Sequence, residues 1–268
     1  MKMSRIVKVE NLGLSSISLK REVELVLYQP SELVPSANNF ILLVNDGQDL
    51  ISMAFEKILS AFFQNAPTLN LLVVGIKAGS NRVMEYGMEK TADYMGRGAS
   101  ANIYGQFIVK ELVPYLKNKN PHYSSAPIGF AGFSLGGLSA LDIVWNNASL
   151  FSVAGIFSGA LWWRSIDQAS ALYNDNKHRL MQQQIRNSNN QPGLRFFFQC
   201  GALDEANDRN NNGVIDSVDD TRDTVAELVG KGYLMETDIK YFEMPMGKHT
   251  IATWAEALPI FLQWAYKN

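Results

Sequence analysis

Continuous apolar runs that alternate with helical patterns constrain the fold of this chain more than any other feature of its sequence. Five runs have the length and composition of strands covered on both faces, at 40–44, 71–76, 128–133, 153–157 and 196–200. A last strand is predicted at 239–244, and an antiparallel pair at 16–19 and 23–28. Helical patterns lie between them, at 50–63, 104–116, 135–145, 221–229 and 251–266. The alternation predicts an α/β protein with a mostly parallel central sheet of about eight strands and helices on both faces.

Composition and charge narrow the class of protein. Hydrophobic residues make up 47% of the chain, which is enough for a large core. A formal net charge of −2 gives no electrostatic basis for binding nucleic acid or an anionic membrane. The sequence shows neither a membrane-spanning run nor an apolar signal segment at its start, so we expect a single cytoplasmic domain over 1–268. Cys200 is the single cysteine and ends a strand pattern, which predicts a buried, inert thiol.

The turn between the predicted strand at 128–133 and the helix at 135–145 has the sequence GFSLG, a G-x-S-x-G motif. Between a strand and a helix, this motif is typical of a nucleophile elbow, in which a sharp turn exposes the serine hydroxyl. The glycines allow strand and helix to pass close together. A glycine-rich turn in another α/β protein is the alternative, but the context favours Ser134 as a nucleophile.

A serine nucleophile needs a base, usually a histidine that a carboxylate orients. Of the three histidines, His249 follows the last predicted strand and precedes the final helix, where a loop can reach back over the sheet. His122 precedes the serine, against the order serine, acid, histidine of α/β hydrolases, and His178 has no strand end near it. We therefore predict His249 as the base, with a polar helix cap as its alternative role.

The acid of such a site should follow a strand between Ser134 and His249. Asp204 and Glu205 both follow the run at 196–200, and both qualify by position.

An oxyanion hole needs two backbone N–H groups. Leu135, the residue after the serine, is the candidate for the first. The loop that follows the run at 40–44 contains Gly47, which allows a close approach, and the N–H of Gln48 is the candidate for the second. An ordinary β–α turn is the alternative for this loop.

Several segments resemble the putative esterase family of α/β hydrolases, which takes in enterochelin-esterase-like proteins, esterase D, feruloyl esterases and, more distantly, mycolyltransferases. The resemblance covers most of the chain and rests on NDGQ at 45–48, Arg82 with Glu85-Tyr86, QFIVKELVP at 106–114, GFSLGG at 132–137 and SGALWW at 158–163. It implies the α/β-hydrolase fold and a triad of Ser134, Asp204 and His249.

Two positions depart from the family pattern. The family's usual early His-Gly is Asn45-Asp46-Gly47 in this chain, and Lys248 replaces the glycine that is common before the histidine. The first departure concerns the oxyanion loop.

A second motif lies at 208–219, where DRNNNGVIDSVD matches an EF-hand-like or dockerin-like calcium loop. Ca²⁺ prefers about six to eight oxygen ligands. The loop would supply them from Asp208, Asn210, Asn212, the carbonyl of Val214, Asp216 and Asp219. A polar turn rich in Asn and Asp is the alternative. We predict a structural Ca²⁺ that fixes the loop carrying the acid.

The substrate pocket is predicted after the run at 153–157. Trp162, Trp163 and Arg164 lie where a pocket wall is expected, although the core is the alternative place for the tryptophans. The polar segment 160–192 predicts a cap over the site, and Arg82 and Arg164 are candidates for contact with an anionic substrate.

These features together predict a serine carboxylesterase that hydrolyses a small-molecule ester through an acyl-enzyme and needs no cofactor for catalysis. An acyltransferase that uses the same acyl-enzyme is the first alternative. A non-catalytic, calcium-stabilised binding protein on a hydrolase scaffold is the second.

Overall fold

A single eight-stranded sheet forms the centre of the computed structural model, which describes residues 5–35 and 38–267. The strands are β1 (Val7–Ser16), β2 (Arg21–Pro30), β3 (Asn38–Asn45), β4 (Leu69–Ile76), β5 (Ile128–Phe133), β6 (Phe151–Phe157), β7 (Arg195–Leu203) and β8 (Ile239–Lys248). Their order in the sheet is β1-β2-β4-β3-β5-β6-β7-β8. β2 pairs antiparallel with β1 and β4, and the other neighbouring pairs are parallel.

Helices connect the parallel strands. They are α1 (Asp49–Ser52), α2 (Phe55–Asn65), α3 (Arg82–Glu85), α4 (Ala101–Gln106), α5 (Val113–Lys119), α6 (Leu135–Asn146), α7 (Asp175–His178), α8 (Leu180–Asn187), α9 (Asp216–Gly230) and α10 (Ile251–Tyr266). A π-helical turn (Phe107–Leu112) joins α4 to α5. Among the described residues, no helix has both the length and the apolar character needed to cross a membrane.

Two apolar clusters, one on each face, bury the central sheet. The first packs α4, α5, α6, α8 and α9 against the sheet, and the second packs α1, α2 and α10 against the opposite face. At the centre of the sheet, β4, β5 and β6 are almost wholly buried, as is β3 from Ile41 onward, in agreement with their apolar sequences. The predicted α/β-hydrolase architecture is confirmed, whereas the extent of the domain stays a prediction.

The structure corrects some predicted boundaries. The predicted first strand at 16–19 is mostly the turn after β1. The strand itself lies earlier in the chain, and the prediction missed it because its mixed, half-exposed sequence lacks a long apolar run. The predicted helix at 50–63 is interrupted at Ala54, whose φ of 51° is left-handed. The predicted helix at 104–116 contains the π-helical turn, since Pro114 cannot donate the hydrogen bond of a regular helix. α9 begins at Asp216, five residues before its predicted start at 221.

Cys200 lies within β7 and has no exposed surface. Burial raises the pKa of its thiol to about 12, so the thiol is not ionised near neutral pH. The structure therefore agrees with the prediction of an inert cysteine.

Candidate active site

Ser134 lies in the turn between β5 and α6, at the carboxyl edge of the sheet. Its backbone has φ of 54° and ψ of −123°, a conformation that residues other than glycine seldom adopt. Its N–H donates to the Phe157 carbonyl at 2.8 Å, and its carbonyl accepts from Ala160 at 3.1 Å, so β6 and the segment after it support the turn. This strained, supported backbone is the geometry of a nucleophile elbow.

The glycines around Ser134 are needed for close packing. A Cβ on Gly132 would lie 2.3 Å from the Gly136 carbonyl oxygen, and one on Gly137 would lie 2.9 Å from the Gly132 oxygen. A Cβ on Gly136 would lie 2.7 Å from a carboxylate oxygen of Asp46. The first turn of α6 therefore touches both its own strand and the loop after β3, and larger residues would separate them.

Asp204 and His249 follow the neighbouring strands β7 and β8. Burial lowers the pKa of the His249 imidazole, while the Asp204 carboxylate opposes this shift and the Arg82 guanidinium adds to it. Asp204 accepts the Gly201 N–H through Oδ2 at 3.1 Å, and its buried Oδ1 has no hydrogen-bond partner among the described residues. The charge of this carboxylate acts on the His249 imidazole, and its Oδ1 is free to accept a hydrogen bond.

The structure distinguishes Asp204 from Glu205. Glu205 accepts from Asn207 at 3.3 Å, and its pKa is raised, mainly by burial, with Asp216 and Asp220 adding to the shift. Its surroundings are thus the acidic start of α9 and not the imidazole, which supports Asp204 as the partner of His249.

Trp254 of α10 connects the histidine loop to the elbow. Its ring lies 5.2 Å from the His249 ring and 5.1 Å from the ring of Phe133, the residue before Ser134. Its Nε1 donates to the Ser158 hydroxyl at 3.0 Å. One side chain therefore contacts both His249 and the strand that ends just before Ser134.

The loop after β3 presents a backbone donor to the same edge. The Asp46 N–H donates to the Tyr86 hydroxyl at 3.3 Å. The Gly47 N–H donates to the Ile76 carbonyl at 2.8 Å. Within the described part of the chain, the Gln48 N–H donates to no group. Leu135 is the first residue of α6, so its N–H has no partner inside the helix.

Sequence reasoning missed the ion pair that holds this loop. Asp46 is buried with φ of 58°, and its carboxylate accepts from Arg82 at 2.6 Å and 2.8 Å. Arg82 is therefore committed to an internal ion pair. The Arg82 guanidinium also lies 5.0 Å from the centre of the Tyr86 ring. The NDGQ segment and the Arg82 segment were both visible in the sequence, but nothing there showed that they touch.

Comparison with known proteins identifies the family. The family model described as "Putative esterase" matches residues 16–264. The chain belongs to the putative esterase family. The uncharacterized protein YbbA of Bacillus subtilis (strain 168) is 28% identical to this family member over 145 residues, which are 52% of this chain and 57% of YbbA.

Solved structures share the fold of this putative esterase family member. The enterobactin esterase of Shigella flexneri superposes with a TM-score of 0.70 at 17% identity, over 95% of this chain and 58% of that one. A ferulic acid esterase superposes with a TM-score of 0.69 at 16% identity, over 98% of both chains. The chain thus spans less than two thirds of the length of YbbA and of the Shigella enzyme. These solved structures share the fold of the chain.

In this putative esterase family member, the three predicted substrate residues after β6 lie in different surroundings. Trp163 is fully buried, and its indole N–H donates to the Thr91 carbonyl at 3.3 Å. Trp162 is half-buried between two cations, with the guanidinium of Arg97 at 4.8 Å and that of Arg164 at 5.6 Å from its ring centre. Trp163 therefore supports this segment from the core, whereas Trp162 and Arg164 are partly accessible. The rest of the predicted cap contains α7 and α8.

The loop at 208–219 brings several of its predicted metal ligands together. Asp208 accepts the N–H groups of Asn212 at 3.1 Å and Gly213 at 2.9 Å. Asp219 accepts from the side-chain amides of Asn210 at 3.1 Å and Asn212 at 2.8 Å. These four side chains are oxygen donors of the kind that Ca²⁺ prefers.

Asp216 has a competing partner. Its Oδ1 accepts the Arg209 N–H at 2.8 Å and lies 3.2 Å from the Arg209 guanidinium. Within the described residues, no three His, Cys, Asp or Glu side chains form a group that could hold a metal ion. The donor set therefore fits Ca²⁺ in part, through Asp208, Asp219 and neutral oxygens, and the calcium site stays a prediction.

Proposed function

We propose that this chain is a serine carboxylesterase with Ser134 as its nucleophile. The observation that carries the proposal is the backbone of Ser134, strained to φ of 54° at the turn from β5 into α6. Such strain costs about 1–3 kcal/mol and persists at functional sites. Membership of an esterase family supports the same reaction class.

The proposed reaction begins with attack of the Ser134 hydroxyl on the ester carbonyl, while His249 takes the hydroxyl proton. Asp204 orients the imidazole and stabilises its charged form through the Oδ1 atom that lacks another partner. His249 then gives the proton to the leaving alkoxide. Water, activated by the same imidazole, hydrolyses the acyl-enzyme and frees the acid.

The negative oxygen of each tetrahedral intermediate would lie between two backbone donors, the N–H groups of Leu135 and Gln48. The first begins α6, whose dipole favours negative charge at that end. Fixed donors of this kind stabilise the transition state more than the ground state, so they raise kcat.

We propose an aromatic or otherwise planar acyl group as the substrate class. Trp162, partly accessible and flanked by Arg97 and Arg164, supports this choice because aromatic rings and guanidinium groups stack on planar groups. The names of the structural relatives, an enterobactin esterase and a ferulic acid esterase, point the same way.

The test compares wild type with Ser134→Ala on p-nitrophenyl butyrate and methyl ferulate. We expect hydrolysis by wild type and a loss on the order of 10⁶-fold in kcat for Ser134→Ala, as in other triad enzymes. Ser139→Ala, a buried serine on the same helix, is the matched control and should keep its activity. Equal activity of Ser134→Ala and wild type would exclude Ser134 as nucleophile.

Two further readouts separate the alternative functions. Labelling of wild type by a fluorophosphonate, absent in Ser134→Ala, excludes a non-catalytic binding protein. Product analysis with added alcohol identifies an acyltransferase, because the acyl group then appears as a new ester and not as the free acid.

A further inference from the structure

The two halves of the proposed oxyanion hole come from distant parts of the chain, and one buried side chain joins them. Asn45, the last residue of β3, has no exposed surface. Its Nδ2 donates to the Gly136 carbonyl in the first turn of α6 at 2.8 Å, across 91 positions of sequence. Gly136 immediately follows the donor Leu135, and Asn45 lies three residues before the donor Gln48.

Tyr104 of α4 fixes the orientation of this amide. Its hydroxyl donates to Asn45 Oδ1 at 2.5 Å, so the Nδ2 atom must face Gly136. Burial raises the pKa of the Tyr104 hydroxyl well above its ordinary value, so the hydroxyl stays a donor at any pH where an esterase works.

A second tyrosine holds the next residue of the loop. The rings of Tyr86 and Tyr104 lie 5.1 Å apart, and the Tyr86 hydroxyl accepts the Asp46 N–H at 3.3 Å. The loop and the helix touch at this point, because a Cβ on Gly136 would lie 3.0 Å from the Asn45 Cβ. The Asn45 link therefore spans a contact that has little freedom to adjust.

We propose that Asn45, oriented by Tyr104, is the positioning residue of the oxyanion hole. This inference rests on the proposed esterase function. Asn45 does not touch the substrate. It sets the separation of the Leu135 and Gln48 N–H groups, so its loss should weaken binding of the transition state more than binding of the ester.

The test measures kcat and KM for Asn45→Leu and Tyr104→Phe. We expect kcat to fall about 10²-fold in Asn45→Leu, as small displacements of catalytic groups do elsewhere, with KM changed less than about threefold. In Tyr104→Phe, kcat should fall less, about tenfold, because the Asn45 amide remains and loses only the hydrogen bond that fixes its orientation. Tyr266→Phe is the control, since that buried hydroxyl has no partner among the described residues.

Active-site titration with a fluorophosphonate separates positioning from folding. A purely structural role would reduce the number of sites that label and leave kcat per labelled Ser134 unchanged, which would overturn the inference. The double variant Asn45→Leu/Tyr104→Phe should lose about as much kcat as Asn45→Leu alone, because both changes break one link. Multiplied losses would overturn the role given to Tyr104.

The same titration distinguishes the two proposals. If wild type labels at Ser134 and the Asn45 variant keeps full kcat per site, the inference fails and the proposed function stands. If wild type does not label at all, the proposed function fails and the inference with it.

Discussion

At the scale of single residues, the site depends on backbone conformations that residues other than glycine seldom adopt. Asp46, Ser134 and Ser158 all have positive φ, and each lies just after a different strand, β3, β5 and β6. The N–H groups of Ser134 and Ser158 donate to the carbonyls of Phe157 and Gln199 in the neighbouring strands, each at 2.8 Å. Asp46 is held instead by the Tyr86 hydroxyl and the Arg82 guanidinium.

The protonation of His249 should set the acid side of the pH profile. A general base works only when neutral, so kcat/KM should rise with pH through the pKa of His249. Because burial lowers this pKa, we expect the midpoint below the ordinary value of 6.5. His122→Gln, an exposed histidine, should leave the midpoint unchanged. A midpoint above 6.5 would contradict the assignment.

Gly201 should be essential for the position of the acid. A Cβ there would lie 2.4 Å from the Gly247 carbonyl and 2.6 Å from Asp204 Oδ1, between the loops that carry acid and base. We expect Gly201→Ala to lower kcat about 10²-fold through displacement of Asp204. Gly230→Ala, where no atom lies within 4 Å of the added Cβ, is the control. Steady-state kinetics of both variants on one ester measures the difference in kcat. Equal kcat for Gly201→Ala and Gly230→Ala would contradict a role of Gly201 in positioning Asp204.

Some of these residues could be predicted and others could not. Ser134 and His249 could be proposed from the sequence, because one motif and a choice among three histidines point to them. Asn45 and Tyr104 lie 59 positions apart, and their hydrogen bond depends on how α4 packs beside β3. A single sequence records each residue's chemistry but not such packing.

At the scale of elements, the loop at 208–219 follows Asp204 and runs into the first turn of α9, which begins at Asp216. Arg209 of this loop contacts the carboxylates of Asp175, at 2.9 Å, and of Asp220, at 2.6 Å. Arg179, at the start of α8, lies 2.7 Å from the same Asp220. The ion pairs therefore connect the predicted cap segment to α9. The motif at 208–219 was readable in the sequence, but this network was not, because it joins three separate segments.

Calcium should stabilise the loop if the sequence motif has its usual meaning. We expect 1 mM Ca²⁺ to raise the melting temperature by about 5 °C over an EDTA-treated sample, as for a ligand well above its Kd. Asp208→Ala should abolish the increase, and Asp167→Ala, an exposed residue outside the loop, should not. Scanning calorimetry measures the difference. Equal melting temperatures in Ca²⁺ and EDTA would contradict the calcium site and favour the alternative, a polar turn that binds no metal.

At the scale of the whole molecule, the alternation of apolar runs and helical patterns was sufficient to predict the architecture. The inner strands were found because burial on both faces requires continuous apolar sequence. The edge strand β1 was misplaced because half of it faces solvent and its sequence is mixed. Strand order depends on long-range pairing and could be read only from the structure.

A carboxylate pair, in which Asp142 is buried and Glu89 is half-buried, should make stability depend on pH. Burial raises the pKa of Asp142 to about 6, and burial together with the Asp142 charge raises that of Glu89 to about 7. The folded state then holds protons more tightly than the unfolded state, so the stability that the pair contributes is lost as pH rises from about 4 to 7.

Glu89→Gln should reduce this dependence. We expect the loss of unfolding free energy between pH 5 and pH 8 to be smaller than in wild type by about 1–2 kcal/mol. Urea denaturation at both pH values measures it, and Glu256→Gln, an exposed carboxylate on α10, accounts for the loss of one charge. An unchanged difference would show that Glu89 is not part of the effect.

The sheet order has a consequence for how the chain could be divided. From β5 onward the strands follow one another in space as they do in sequence, and a largely exposed turn at 189–193 lies between α8 and β7. A cut in this turn yields two contiguous fragments, which meet where β6 pairs with β7, where α8 packs on α9 and where α2 packs on α10. The first fragment carries Ser134, and the second carries Asp204 and His249. Ester hydrolysis by mixed fragments would therefore report their reassembly, because neither fragment alone contains the three proposed catalytic residues.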